Sequence, residues 1–413
     1  MSSSAQLRIA RLAAMPAVHR AFHWLHLHQL QMRKWHLELL RIPAPPFSEQ
    51  ARAAWFLERF QQLGLSNPHV DAAGNALAEL PAEPRTSNPE PRTAPVILLC
   101  AHLDTVFPAG TNTEPTEAET RILGPGACDN GAGLSALLGL AAALRHAELT
   151  PAVPILFAAN VGEEGEGDLR GMRHLFSSKA SPYAKRIAAA IALEGSGSSA
   201  VVTRALASRR FRVTVTGPGG HSWTDAGAPN PILILTRALL ALESLDLPHR
   251  EPRTTLNVGQ ISGGTSINSI PESATAWLDL RSTDPLELQA AEVALRQSLA
   301  QWTTPPHSTA ATTLSIETIG DRPGGALPDK SPLLATLRAV DRHLNLRTET
   351  GLGSTDANIP LSLGIPAIAI GAGGQGGGIH TLQEWYDPSG RSAALRRILL
   401  TLLDTAHLAA EVD

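Results

Sequence analysis

The sequence predicts an α/β protein that carries an inserted, smaller α+β domain. Short apolar segments alternate with helical ones, which indicates a mostly parallel sheet with helices on both faces. In the middle of the chain, apolar and polar residues instead alternate one by one, as in a sheet with one solvated face. The length of 413 residues exceeds the size at which a single core usually keeps growing. We therefore expect a larger domain formed by residues 1–205 and 321–413, with residues 206–320 inserted as the smaller domain.

The amino-terminal part is predicted to be helical as far as about Arg41, where a proline-rich stretch follows and prevents the helix from continuing. A second helix is expected over 47–64, with Ser48 as its cap and Gly64 as its stop. Residues 82–94 are rich in proline and polar groups and predict a surface loop.

The remaining elements follow from apolar patterning. Buried strands are predicted at 95–101, 152–159, 187–193 and 366–370. The alanine- and leucine-rich segment 131–148 predicts a helix between the first two of these strands. In the inserted domain, we expect strands at 210–216 and 274–281 and helices at 229–246 and 284–301.

The composition excludes several kinds of partner. The formal net charge of -4 leaves no basic surplus that would attract nucleic acid or an anionic membrane. The first residues lack the continuous apolar run of a secretory signal, and apolar segments elsewhere are too short to span a bilayer. Two cysteines, Cys100 and Cys128, are too few for a disulfide-stapled secreted fold. We expect a soluble, cytoplasmic protein with no nucleic-acid and no membrane partner.

Residues that can bind a metal follow the predicted strands, at the edge of an α/β sheet where ligands bind. His102 and Asp104 follow the first strand, Glu163 and Glu164 follow the second, and Glu194 ends the third. His102 and Asp104 are two residues apart in extended chain and point the same way. Asp104 can therefore accept a hydrogen bond from the imidazole and fix which ring nitrogen faces a metal.

Two further residues complete the pattern. Asp129 lies just before the predicted helix, and His380 follows the glycine-rich stretch 371–378. Each feature has a plainer explanation when it is taken alone. His102 is equally explained as a strand-end residue with satisfied hydrogen bonds, and His380 as an incidental residue of a turn. Asp129 is equally explained as a helix cap, and the paired glutamates as a solvated acidic loop.

Taken together, two histidines and three carboxylates suit two zinc ions that share a bridging carboxylate. The two ions carry about four positive charges, of which Asp129, Glu164 and Glu194 offset three and a bridging hydroxide the fourth. Such a site is neutral and can generate hydroxide near neutral pH.

The chain resembles the zinc exopeptidase and aminoacylase family, which includes tripeptidase T, glutamate carboxypeptidase, acetylornithine deacetylase and succinyl-diaminopimelate desuccinylase. The matching segments run in order along nearly the whole chain: HLDTV, GPGACDNGAGL, VGEEGEGDLRG, LEGSG, GPGGHS and IHTLQEW. Two segments, GEGDLRG and GSTDANIP, are most similar to the tripeptidase T-like branch.

The resemblance implies a role for each matched residue. Asp129 bridges two zinc ions, for which cobalt or manganese can substitute. Glu163 is the general base that deprotonates a zinc-bound water to hydroxide, and Asp104 orients His102. The terminal metal ligands are His102, Glu194 and His380, and Glu164 is a further metal ligand.

The inserted domain is similar to the lid and dimerisation domain of the family. The resemblance implies that His221, in GPGGHSW, reaches a partner's active site and stabilises the developing oxyanion. Asn268 and Arg281 match lid residues that contact a substrate carboxylate, a role that suits the bidentate geometry of arginine. A surface charge on a strand also accounts for Arg281. We expect a homodimer, because the role of His221 needs a partner chain.

The resulting hypothesis is a di-zinc metallohydrolase of the exopeptidase type that cleaves small peptides. The alternative is an N-acyl-amino-acid deacylase of the acetylornithine deacetylase or desuccinylase type. Glu194 keeps this alternative open, because tripeptidase T-like proteins usually carry aspartate there. A non-catalytic zinc-binding scaffold is a further alternative, which the presence of Glu163 disfavours. No G-x-S-x-G nucleophile elbow and no P-loop lysine motif occurs in the sequence.

Overall fold

The computed structural model describes residues 2–82, 94–302 and 312–411. Contacts divide the chain into two compact units, one formed by Met1–Ala205 with Ala326–Asp413 and the other by Leu206–Gly325. The loop predicted over 82–94 lies, except for its two end residues, outside the described residues.

The α-helices of the described residues are α1 (Ser2–Ala13), α2 (Pro16–Leu27), α3 (Gln29–Leu40), α4 (Gln50–Gln62), α5 (Gly131–His146), α6 (Arg170–Leu175), α7 (Pro231–Ala241), α8 (Pro285–Ala300), α9 (Pro332–Leu344), α10 (Asn358–Ser362) and α11 (Ser392–Glu411). No helix in the described part of the chain combines the length and the apolar character that crossing a bilayer requires.

The strands are β1 (Ser66–Val70), β2 (Ala76–Leu80), β3 (Val96–His102), β4 (Thr116–Ala118), β5 (Arg121–Leu123), β6 (Ile155–Asn160), β7 (Ile187–Leu193), β8 (Ala200–Ala205), β9 (Ala207–Thr216), β10 (Gly220–His221), β11 (Thr254–Gly263), β12 (Ser269–Ile270), β13 (Ser273–Ser282), β14 (Thr313–Arg322), β15 (Gly325–Ala326), β16 (Glu349–Gly353), β17 (Ala367–Ile370), β18 (Gln375–Gly377) and β19 (Trp385–Asp387).

The first unit is built on a nine-stranded sheet in the order β1-β2-β6-β3-β7-β17-β8-β15, with β16 pairing with β8. The central pairs β6–β3, β3–β7 and β7–β17 are parallel. Every residue of β3 and of β6 is buried, which explains their continuous apolar sequences. Helices α4, α5 and α11 pack against this sheet. The predicted α/β class is confirmed, and the four predicted buried strands correspond to β3, β6, β7 and β17.

The amino-terminal segment is helical as far as Leu40, close to the predicted limit of Arg41, but it is divided into three helices where the prediction placed no break. Met15 is extended (φ −67°, ψ 132°), and Pro16 is the first residue of α2. Proline has no N–H to donate and clashes with a preceding turn, so α1 ends before it. A second break occurs at His28 (φ −100°, ψ 28°), and both α2 and α3 then pack on α5.

Helix α4 also begins differently from the prediction. Its cap position is occupied by Glu49, which makes no side-chain capping hydrogen bond, and Ser48 lies one residue too early. The predicted stop is present, because Gly64 follows the helix with φ +68°, a conformation that glycine adopts readily.

A small sheet of order β18-β19-β5-β4 also belongs to the first unit. Its strands β18 and β19 are antiparallel and are joined by the turn that contains His380. The backbone of His380 lies in the left-handed region, at φ +64°. The turn that presents this histidine is therefore held at both ends by strands.

The second unit contains an antiparallel sheet of order β11-β13-β9-β14, and α7 and α8 pack on it. In β13 buried residues alternate with more exposed ones, as the sequence predicts. The buried side chains form a core separate from that of the first unit, which includes Phe211, Val213, Leu278 and Leu295. Residue 320, the predicted end of the inserted domain, lies inside β14.

Candidate metal centre

Three parallel strands end at the same edge of the main sheet. β3 pairs with β6 on one side and with β7 on the other. His102 is the last residue of β3 and lies opposite Asn160, the last residue of β6. Glu194 follows the last residue of β7, and its N–H donates to the carbonyl oxygen of Ile370 at 3.0 Å. The polar residues after separate strands are therefore neighbours in space.

Asp129 lies between the two predicted histidine ligands, and each of its carboxylate oxygens contacts one of them. Oδ1 is 3.0 Å from Nε2 of His102, and Oδ2 is 3.1 Å from Nε2 of His380. Nε2 of His102 is also 3.4 Å from Oε1 of Glu194. Nε2 of His380 is 3.1 Å from Oε1 of Glu164. The shared carboxylate thus joins two sets of donor atoms.

Among the described residues, the potential metal donors form three overlapping groups, and within each group the ligand atoms lie within 4.8 Å of one another. Two groups share Asp129, and the third contains the adjacent glutamates. The groups are His102 with Asp129 and Glu194, Asp129 with Glu164 and His380, and His102 with Glu163 and Glu164. Imidazole nitrogen and carboxylate oxygen are the donors that zinc takes in catalytic sites. The donor set therefore fits divalent cations, and Asp129 is common to two of the groups.

The electrostatics of the cluster favour positive charge beside Asp129. Burial raises the pKa of Asp129, but its hydrogen bonds to the two histidines outweigh this and hold it well below its usual range. The hydrogen bond to Asp129 raises the pKa of His380 to about 9. Burial lowers the pKa of His102, but hydrogen bonds to Asp129 and Glu194 raise it well above its ordinary value. Burial, and then the charge of Asp129, raise the pKa of Glu164 to about 7.

Asp104 is placed differently from the prediction. Nδ1 of His102 is 3.0 Å from the backbone carbonyl oxygen of Asp104, while the carboxylate oxygen Oδ1 lies 3.7 Å away. The carboxylate instead accepts the backbone N–H groups of Glu163 at 3.0 Å and Glu164 at 2.7 Å. The tautomer of His102 is therefore set by a main-chain carbonyl, and the Asp104 side chain holds the glutamate loop.

Sequence reasoning missed Asn130, the residue that ties Asp129 to Glu194. The buried Asn130 is the N-cap of α5 and accepts the N–H of Gly133 at 3.1 Å, so the cap is not Asp129. Its side chain also donates to the carbonyl oxygen of Leu193 at 2.8 Å and accepts the N–H of Gly195 at 3.1 Å. These two residues flank Glu194. Asparagine before a helix was a visible signal, but its partners lie 63 and 65 residues away.

Glu384 was missed as well, although it lies in the segment that contains His380. The side chain is fully buried, and its two oxygens accept backbone N–H groups from the loop that carries Asp129. No local sequence pattern distinguishes this glutamate from a surface one.

Two buried basic side chains donate hydrogen bonds to the backbone of the loops that carry the candidate ligands. Arg52 of α4 donates to the carbonyl oxygen of Leu103 at 2.7 Å, and burial lowers the pKa of this guanidinium to about 10. His36 of α3 donates from Nε2 to the carbonyl oxygen of Ala127 at 2.8 Å. Burial lowers the pKa of His36 to about 3, so its ring is neutral.

Asp356, in the GSTDANIP segment, is also buried close to the strand ends. It accepts a hydrogen bond from Nδ2 of Asn160 at 2.8 Å, and Asn160 is the residue opposite His102. Burial raises the pKa of Asp356 to about 7. The segment GSTDANIP contributed to the family resemblance, but no role was predicted for its aspartate.

The three predicted lid residues all belong to the second unit. Nδ1 of His221 accepts the N–H of Trp223 at 3.1 Å, so a neutral ring carries its proton on Nε2. The neighbouring turn holds Asn268, whose backbone carbonyl oxygen accepts the N–H of Ser222 at 3.0 Å. Arg281 is 37% exposed and forms an ion pair with Asp279 at 2.6 Å.

Known proteins match much of the chain. Residues 98–404 match the model of a family described as peptidase family M20/M25/M40. A probable carboxypeptidase from Aspergillus clavatus is 30% identical over 250 residues, which are 56% of this chain and 54% of that protein. This chain thus spans about half the length of such fungal relatives. An uncharacterized protein from Bacillus subtilis, YqjE, is 23% identical over 84% of this chain and 91% of its own length.

Solved structures share the fold across nearly the whole chain. Aminopeptidase PepT from Bacillus cereus has a TM-score of 0.70 at 19% identity, over 92% of this chain and 99% of that one. The dipeptidase Dug1p from Saccharomyces cerevisiae has a TM-score of 0.73 at 14% identity, over 95% and 99%. At such low sequence identity, the structural similarity establishes a shared fold alone.

Proposed function

This chain belongs to peptidase family M20/M25/M40, and from that premise we propose that it is a metal-dependent hydrolase that removes a terminal residue from small peptides. The observation that carries the proposal is the sharing of Asp129 between two donor groups, one with His102 and Glu194 and one with Glu164 and His380. We infer that these five residues hold two zinc ions. Cations held by these residues would supply Lewis-acid polarisation of the amide carbonyl and would lower the pKa of a bound water toward neutral.

Glu163 is the general base in this proposal. Its backbone is fixed by the Asp104 carboxylate, and its side chain is 5% exposed, in a loop that follows the buried strand β6. Glu163 accepts a proton from the attacking water and later donates it to the leaving amine, which needs one group that can serve as both base and acid. Glu164, its neighbour, contacts His380 and serves as a metal ligand instead.

The second unit supplies the groups that recognise the substrate. His221 donates from Nε2 to the oxyanion, which its fixed tautomer supports, and it acts from a partner chain in a homodimer. Asn268 and Arg281 contact the substrate carboxylate. Arg281 already faces Asp279, so binding a substrate carboxylate requires it to share or exchange that partner.

A second candidate function is the hydrolysis of N-acyl amino acids. The observation that favours it is Glu194, because the tripeptidase-like proteins that the chain resembles usually carry aspartate at this position. The same metals and the same base serve both reactions, so the difference lies in the acyl group that the site accepts.

A substrate panel separates the candidates. The protein, loaded with zinc, cobalt or manganese, is incubated with dipeptides, tripeptides, and N-acetyl and N-succinyl amino acids, and the released amino acids are quantified. We expect peptides to be cleaved with loss of one terminal residue. Turnover of the N-acyl amino acids alone would support the deacylase, and tight zinc binding without turnover of any substrate would support a non-catalytic scaffold.

The homodimer is tested by light scattering coupled to size-exclusion chromatography, together with activity. We expect the mass of a dimer. A fully active monomer would remove His221 from catalysis in a partner's site.

A further inference from the structure

Glu384 is a carboxylate buried within the protein behind the candidate metal centre. It is 0% exposed, and both of its oxygens are used. Oε1 accepts the N–H of Cys128 at 2.8 Å and that of Asp129 at 2.7 Å, and Oε2 accepts the N–H of Gly126 at 2.8 Å. In addition, the backbone carbonyl of Glu384 accepts the N–H of Gly124 at 2.9 Å. One residue therefore fixes the whole loop that leads to Asp129.

The same residue is joined to the turn that presents His380. Its own N–H donates to the carbonyl oxygen of Thr381 at 3.1 Å, and β19 begins at the next residue, Trp385. The turn carrying one metal ligand and the loop carrying the bridging ligand are thus connected through the side chain of Glu384. Asp129 and Glu384 are 255 residues apart in sequence.

We propose that Glu384 is a positioning residue that orients Asp129 so that its two oxygens face His102 and His380 and can bridge two cations. The inference rests on the proposed function only in taking Asp129 as a metal ligand. Groups that hold metal ligands in place typically change metal affinity by about 10–100-fold when they are replaced.

Glutamate suits this position in two ways. It accepts three N–H groups with two oxygens, whereas glutamine would turn an NH₂ donor toward one of those N–H groups and leave a buried conflict. It also places a negative charge beside Asp129, where it attracts divalent cations. Aspartate retains the charge but is one methylene too short to reach the loop.

The test uses Glu384→Gln and Glu384→Asp in the full chain, with zinc affinity measured by competition with a chromophoric chelator. The visible spectrum of bound cobalt reports the coordination geometry. We expect both variants to bind zinc about 10–100-fold more weakly and to show an altered cobalt spectrum. Circular dichroism of the metal-free variants establishes that they are folded.

Glu79→Gln is the matched control. Glu79 of β2 accepts a hydrogen bond from the Tyr183 hydroxyl at 2.6 Å and lies on the opposite side of β6 from His102 in the sheet order. Its replacement should leave zinc affinity and the cobalt spectrum unchanged.

Zinc affinity within about twofold of the parent in both folded variants would overturn the proposal. Loss of affinity in Glu384→Gln with full retention in Glu384→Asp would also overturn it, because charge and not position would then be responsible. These outcomes are independent of turnover, so a protein that binds zinc but hydrolyses nothing fails the proposed function without deciding the role of Glu384.

Discussion

At the scale of single residues, the chemistry of the site centres on Asp129. Its two oxygens face His102 and His380, and the hydrogen bonds that result raise the pKa of both imidazoles. A metal ligand must be the neutral imidazole, so protons and cations compete for the same nitrogen atoms. The geometry that suits a bridging ligand therefore also sets the pH dependence of metal binding.

Zinc binding should release protons and tighten as the pH rises. His380 has a pKa of about 9 and is protonated at neutral pH, so each proton displaced makes the affinity increase up to about tenfold per pH unit. Calorimetry at pH 7 in buffers of different ionisation enthalpy counts these protons. His380→Gln should release about one proton fewer, while His249→Gln, which removes an exposed histidine of the second unit, should change nothing. A zinc affinity that is the same at pH 6 and pH 8 would contradict the competition.

Glu163→Gln should separate catalysis from metal binding. Glutamine keeps the size of the side chain, and the hydrogen bond from the backbone N–H of residue 163 to the Asp104 carboxylate is retained. The amide cannot act as a base. We expect kcat to fall by about 10²–10⁴-fold, the usual contribution of a general base, with zinc content unchanged. Glu166→Gln, at an exposed position of the same loop, is the control and should keep its activity. Near-normal turnover by Glu163→Gln would assign the base elsewhere.

At the scale of elements, the amino terminus of α5 organises the centre. The helix begins directly after Asp129 and Asn130, and its free N–H groups and dipole favour a carboxylate at this end. Asn130 caps the helix and at the same time binds the residues on either side of Glu194. Gly133, in the first turn, leaves room for this side chain.

Gly133→Ala should therefore weaken both stability and metal binding. A Cβ at this position would meet Oδ1 of Asn130 and would lie 2.8 Å from the carbonyl oxygen of Leu193. We expect a loss of about 1–3 kcal/mol in the free energy of unfolding, as for other overpacked positions, together with a lower zinc affinity. Thermal unfolding and chelator competition measure the two effects.

The control is Gly139→Ala on the same helix, where the added Cβ meets the flexible end of Met32, away from the centre. It should leave zinc affinity at the parental value. Equal zinc affinities in the two variants would show that the turn at Gly133 does not position the ligands.

At the scale of the whole molecule, the residues that the structure describes form two hydrophobic cores. The first unit holds the candidate metal ligands, and the second has its own buried cluster around β9, β13 and α8. The second unit is one continuous segment, Leu206–Gly325, and the first unit is formed by the segments before and after it, which is the anatomy of an inserted domain.

Residues 206–325 should fold when they are expressed alone. Their core includes Phe211, Leu278 and Leu295, each at most 2% exposed, which gives them a buried interior of their own. We expect cooperative thermal unfolding by circular dichroism. Leu295→Ala, which empties a core position, should lower the stability of this fragment by about 2–5 kcal/mol. A fragment with no cooperative transition would show that its core depends on the rest of the chain.

Local patterns predicted the elements that are apolar throughout or that alternate strictly. β3, β7 and β13 follow from the residues within each strand, because burial on one or both faces imposes a local repeat. The same reasoning extended one helix across Pro16, where the backbone is extended, because helical periodicity continues on both sides of that residue.

By itself, the sequence determined which donor atoms the protein possesses and that several of them follow strand ends, since side-chain chemistry and strand patterning are local properties. Tertiary structure decided which of them meet. In the folded chain Asp129 lies between two histidines, and the Asp104 carboxylate binds the glutamate loop and not the imidazole. Asn130 and Glu384 bind the segments that carry the candidate ligands. Their partners are distant in sequence, and a buried polar group must find a partner wherever the fold provides one.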